Sequence, residues 1–156
     1  MILGFSTLPN TPIPLRAAPN SGLIGITPYV AQSNLGLQLI GYQTDRDDPT
    51  EITLYWRTIR TLPENYQIRL VLENEITGEI ALEAPLRHPG GYPMRRWSAG
   101  GYVLDQYRFT SFTTLPAGSY RWRVSVCGVV NCLQFFERSM GQGQEVFYLP
   151  PIVRID

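Results

Sequence analysis

Acid–base and nucleophilic chemistry need titrating side chains brought together, and this chain of 156 residues carries few: one histidine, two cysteines and thirteen acids. His88 stands between Arg87 and Pro89 in a segment rich in proline and glycine, where a solvated surface imidazole is expected. Neither a His-based triad nor a multi-histidine metal centre is expected from it. Asp45, Asp47 and Asp48 resemble a calcium loop in composition, but the glycine and distal glutamate of an EF-hand are missing, so a solvated turn is expected. Glu73, Glu75, Glu79 and Glu83 could in principle pair for glycoside hydrolysis, yet hairpin surfaces carry such acids for solubility and edge protection. The thirteen basic residues are all Arg, which excludes lysine Schiff bases and lysine-activated nucleophiles. A GC-rich genome gives this preference without selection on the protein; the functional alternative is ion pairing and aromatic stacking at interfaces. Gly90-Gly91 and Gly100-Gly101 precede β segments, unlike a phosphate-cradling loop before a helix. No catalytic residue, cofactor or metal is expected.

Two groups remain. Cys127 and Cys132 flank Gly128-Val129-Val130-Asn131, and a hairpin between 120–127 and 132–136 would set them directly opposite one another. A disulfide is the expectation, against reduced structural thiols; zinc would want two further ligands. Because disulfides persist in oxidising compartments, the bridge would place the chain outside the cytoplasm. The second group is aromatic: Tyr92, Trp97, Tyr102 and Tyr107, with Arg95 and Arg96, could grip sugar rings or form a protein-interaction hot spot. Against this stands a structural role in which Trp97 plugs one end of the fold and Arg stacks on the Tyr rings.

The elements that must position these groups read as strands. Apolar residues fall at every second position in Leu37/Leu39/Gly41, Ile52/Leu54/Trp56, Tyr66/Ile68/Leu70/Leu72 and Tyr120/Trp122/Val124/Val126. Glu79 to Leu82 can return after Thr77-Gly78 as a hairpin partner, and 103–112, 132–136 and 145–149 bring the total to about eight strands. Residues 85–101 form a long loop around Trp97. No segment of ten residues shows a helical apolar stripe, so the fold class is all-β: a two-sheet antiparallel β-sandwich, immunoglobulin-like or jelly-roll, over residues 36–156. Residues 1–35, with Pro9, Pro12, Pro14, Pro19 and Pro28, are expected to be an extended arm that packs on its own domain or docks on another subunit. Length and composition suit one core. Zero net charge with interspersed signs disfavours nucleic acid and anionic membranes as partners, no run of eighteen apolar residues gives a membrane span, and no signal peptide is expected.

Leu39-Ile40-Gly41-Tyr42, Leu54-Tyr55-Trp56-Arg57, Tyr66-Gln67-Ile68-Arg69-Leu70, the loop Gly91-Tyr92-Pro93-Met94-Arg95-Arg96-Trp97, Asp105-Gln106-Tyr107 and Leu115-Pro116-Ala117-Gly118-Ser119-Tyr120 occur in this order. This set resembles the extracytoplasmic β-sandwich domain at the ends of large bacterial membrane glycosyltransferase-like proteins, notably in Chloroflexi, over roughly residues 36–150. The resemblance implies an accessory domain with no catalytic residues to carry over. The chain departs from that pattern in lacking the membrane-spanning part and in adding the cysteine pair and the Pro-rich arm. The expectation is therefore a non-catalytic, extracytoplasmic structural subunit whose arm and aromatic loop hold protein partners. The alternative is a carbohydrate-binding module with a glycan stacked on Tyr92, Trp97 and Tyr102.

Overall fold

The computed structural model describes residues 26–44, 51–109, 115–137 and 142–155. Among them are nine strands: β1 Thr27–Ser33, β2 Leu37–Thr44, β3 Glu51–Thr58, β4 Gln67–Asn74, β5 Ile80–Glu83, β6 Tyr102–Arg108, β7 Gly118–Cys127, β8 Phe135–Glu137 and β9 Phe147–Ile155. Two single 3-10 turns, Pro89–Gly91 and Met94–Arg96, lie between β5 and β6. The strands form two sheets, ordered β6-β3-β2-β1-β8 and β5-β4-β7-β9, with every pairing antiparallel. The chain is an all-β two-sheet sandwich. It changes sheet between β3 and β4 and between β5 and β6, and then at every step from β6 to β9, so two runs of sequential hairpins are followed by successive crossovers.

The period-two faces supply the core. Ile52, Leu54 and Trp56 of β3 face Ile68, Leu70 and Leu72 of β4 and Tyr120, Trp122, Val124 and Val126 of β7, all buried. Burial of such alternating faces between two sheets is the main stabilising term. Aromatic rings continue it toward the β1/β8 flank: Phe135 lies 4.8 Å from Phe147, which stacks at 5.9 Å on Tyr29. At the start of β7, the Tyr120 hydroxyl donates to the Pro116 carbonyl at 2.6 Å, fixing the corner where the chain enters the strand.

Three details depart from the sequence-based expectations. Residues 27–33, inside the segment expected to be an arm, are a strand of the five-stranded sheet; residues 1–25 lie outside the described residues, as do Asp45, Asp47 and Asp48. Pro28 is tolerated because β8 pairs only with Ala31–Ser33, so the proline end of β1 is an open edge. In β2 the alternation slips. A register shift between Leu39 and Gly41 turns Tyr42 into the core, at a point where a Cβ on Gly41 would stand 3.0 Å from the Thr27 carbonyl oxygen. Finally, β7 and β8 are not a hairpin. They meet at the single bridge Cys127–Cys132 and then part into different sheets.

Candidate functional site

The segment from Ala84 to Gly101 is built from the edge of one sheet onto the edge of the other. Beyond β5 the chain stays beside β4, with Ala84 N–H donating to Leu70 O at 3.0 Å and Ile68 N–H to Arg87 O at 3.3 Å. Arg87 is thereby anchored on the four-stranded sheet while its guanidinium crosses to β6 at the edge of the five-stranded one. There it meets Asp105. Val103, Asp105 and Tyr107 share the inward face of β6, opposite Trp56, Leu54 and Ile52 of β3, so period two places a carboxylate in the core. Asp105 is wholly buried.

The carboxylate is held from two sides. Its Oδ1 accepts the Gly90 N–H at 2.8 Å and lies 3.0 Å from Arg87 Nη2. Arg87 also donates to the Gln106 carbonyl at 2.5 Å and lies over the Tyr107 ring, 4.2 Å from its centre. Gly90 adopts φ +64°, and a Cβ there would come within 2.8 Å of the Leu104 carbonyl oxygen, so close backbone approach requires glycine. Loss of solvation raises the Asp105 pKa; Arg87, the Gly90 N–H, Tyr107 and Trp56 oppose that rise in decreasing order. Burial, followed by the nearby Asp105 charge, pushes the Tyr107 hydroxyl well above its ordinary value. Asp105 Oδ2, the Tyr107 hydroxyl, Trp56 Nε1 and His88 Nδ1 are buried without a protein hydrogen bond of normal geometry. The arrangement is an ion pair and a hydrogen bond joining two sheets, closed over by Pro89 and Gly90.

The aromatic group is brought together but not as a platform. Trp97 is 2% exposed and its Nε1 donates to the Tyr92 carbonyl at 2.9 Å, inside its own loop. Tyr107 faces the core. Tyr102 lies on the outer face of β6, buried beneath Arg57, whose guanidinium is 5.8 Å from the ring centre. Tyr92 is half-buried, and only Arg95 and Arg96 are exposed. The glycan platform on Tyr92, Trp97 and Tyr102 is therefore corrected: stacking on a sugar needs an open ring face, and Trp97 is spent on closing the sandwich. Met94, fully buried beside it, fills the same role.

The other candidate residues also find structural positions. Cys127 and Cys132 are joined by a disulfide, with Cα atoms 3.8 Å apart. His88 is half-buried rather than solvated, and its carbonyl accepts the Gly91 N–H at 2.7 Å in the turn that carries Gly90. Glu73 is not a solubilising surface acid: it is buried on the outer face of β4 between Arg121, at 2.7 Å, and Arg123, at 3.4 Å. Glu83 pairs with Arg69 at 2.9 Å, which lowers its pKa, while Glu75 and Glu79 are exposed. Among the described residues, no group of three His, Cys, Asp or Glu is placed to hold a metal ion, and no helix is long and apolar enough to cross a membrane.

Asp105, Arg87 and Gly90 were not singled out by sequence reasoning for any role. The signal was present at Asp105, a carboxylate in phase with Val103 and Tyr107 on an inward face. Nothing in the spacing announces its partner eighteen positions earlier. Comparison of the chain with protein-family models, curated proteins and solved structures finds no match to any of them.

Proposed function

We propose that this chain is a non-catalytic, extracytoplasmic structural subunit of immunoglobulin-like topology that holds protein partners in a cell-surface or membrane-associated assembly. The observation that carries this reading is the Cys127–Cys132 disulfide, which is at home in an oxidising compartment. The strand order adds support. Strands β6-β3-β2 against β5-β4-β7-β9, with a tyrosine at the start of β7 bonded back to Pro116, follow the Greek-key plan and tyrosine corner of immunoglobulin-like sandwiches, with β1 and β8 added at one edge. Several of the acids have structural tasks. Glu51 pairs with Arg108, Glu73 with Arg121 and Arg123, Glu83 with Arg69, and Asp105 with Arg87. An accessory domain of the kind found on bacterial membrane glycosyltransferase-like proteins would have the same character, and we include that kinship in the proposal.

Partner binding is assigned to residues 1–25, which precede β1, and to the exposed surface of the sandwich. The test is removal of residues 1–25, which leaves β1 intact, followed by size-exclusion chromatography with light scattering on the assembly isolated from cells. The truncated chain is expected to elute as a free subunit; assembly equal to that of the full chain would remove the arm from the account.

A further inference from the structure

Between Cys127 and Cys132 the chain forms a short tip that is held rigidly and is apolar at its end. Val129 is 96% exposed and Val130 84% exposed. Four constraints fix the tip: the disulfide, Gly128 N–H donating to Asn131 O at 2.8 Å, Leu133 N–H donating to Val126 O at 2.8 Å, and Val129 N–H donating to Glu64 Oε1 at 3.3 Å. The carboxylate of Glu64 occupies the space a Cβ on Gly128 would need, so the β3–β4 loop packs directly under the tip. Two β-branched side chains on a fixed backbone have little rotamer freedom left to lose on insertion into another phase.

The charges around this tip are sorted. Arg69, Arg87, Arg108, Arg121 and Arg123 are each ion-paired. Arg60, Arg95 and Arg96 are exposed and, among the described residues, make no ion pair. All three lie at the end that carries the valines. Arg60 follows β3 beside the β1–β2 turn, and the Arg95 N–H donates at 2.9 Å to Asn65, the neighbour of Glu64. Among the described residues, the acids at this end are Glu64, engaged with the tip, and Glu145 before β9; exposed Glu75 and Glu79 lie in the β4–β5 turn at the opposite end. Among the described residues, the exposed arginines without an ion pair thus lie at the end of the sandwich that carries the exposed apolar tip.

We propose that this end of the sandwich docks on an anionic lipid surface, with Val129 and Val130 entering the interfacial layer and Arg60, Arg95 and Arg96 meeting the headgroups. An exposed apolar tip with unpaired cations at the same end fits a penetrable anionic interface. Direct lipid contact goes beyond the protein-interaction reading and leaves the sheet faces and residues 1–25 free for partners.

The test is flotation of the full disulfide-bonded chain with vesicles of phosphatidylcholine carrying about 30% phosphatidylglycerol. The chain is expected to float at low salt and to be released as salt screens the headgroups. Val129→Asp with Val130→Asp, checked for an intact disulfide and an unchanged circular dichroism spectrum, is expected to lower the bound fraction by about fivefold or more. Arg95→Gln with Arg96→Gln is expected to weaken flotation on these vesicles and not on phosphatidylcholine alone. A chain that stays in the soluble fraction at low salt, as one whose tip seats only in a protein would, overturns the proposal. So does a valine variant that floats as well as the unaltered chain.

Discussion

A carboxylate without accessible surface is costly to keep charged, and the surroundings of Asp105 reduce that cost with one backbone N–H and one guanidinium. Burial wins that contest, so the folded-state pKa lies above that of an unfolded aspartate, about 3.9. The sign follows from linkage. The folded state keeps the proton to higher pH than the unfolded state, so the contribution of Asp105 to stability falls as pH rises from the unfolded pKa through the raised folded one. Glu83 works in the opposite sense: its pKa is lowered by Arg69, so its contribution is present above the unfolded glutamate pKa and is lost as pH falls through the lower folded value. Replacing Asp105 with Asn keeps an acceptor for the Gly90 N–H and removes the charge. Thermal unfolding measured from about pH 4 to neutrality is expected to show a flatter pH dependence in Asp105→Asn than in the parent chain. An unchanged slope would locate the responsible group elsewhere.

At the scale of the elements, much of the architecture was legible because the alternation at Ile52/Leu54/Trp56, Tyr66/Ile68/Leu70/Leu72 and Tyr120/Trp122/Val124/Val126 survives intact in β3, at the entry to and along β4, and in β7. What escaped has identifiable causes. Pro28 masks β1, because proline argues against a strand until its position at an open edge is known. Gly41 sits at an irregularity that reverses the phase of Tyr42, and local spacing reveals neither the bulge nor the close approach of Ile26 and Thr27 to this glycine. The cysteine pair is bonded, as its spacing predicts, but not within a hairpin; the bridge instead closes the tip at which the chain leaves one sheet for the other. The aromatic composition of residues 92–107 was visible, whereas the burial of Trp97 within its own loop and of Tyr107 on the inward face of β6 follows from packing between distant segments. Because the Cys127–Cys132 bridge closes a short loop, chain entropy assigns it about 2 kcal/mol. Replacing both cysteines by serine is expected to lower the urea unfolding free energy by about that amount with the sandwich retained. A loss large enough to unfold the chain would mean that the bridge supports the core and not only the tip.

At the scale of the whole molecule, the sandwich closes one flank with Arg87–Asp105 and Trp97, and engages Glu51, Glu73, Glu83 and Asp105 in ion pairs with arginines. What stays open is the outer surface, the tip at Val129 and Val130, and the entry to β1. In the proposed interaction subunit, partners would be met at these ends and edges. In such a subunit residues 84–101 are latched to β6 rather than free to open into a binding cleft. Amide hydrogen exchange followed residue by residue measures this most directly. The Gly90, Tyr92 and Trp97 amides, bonded to Asp105, Pro89 and Met94, are expected to exchange about as slowly as the edge strands they join. Exchange at the rate of an unstructured loop, with β6 and β3 still protected, would contradict it and return Trp97 to the surface.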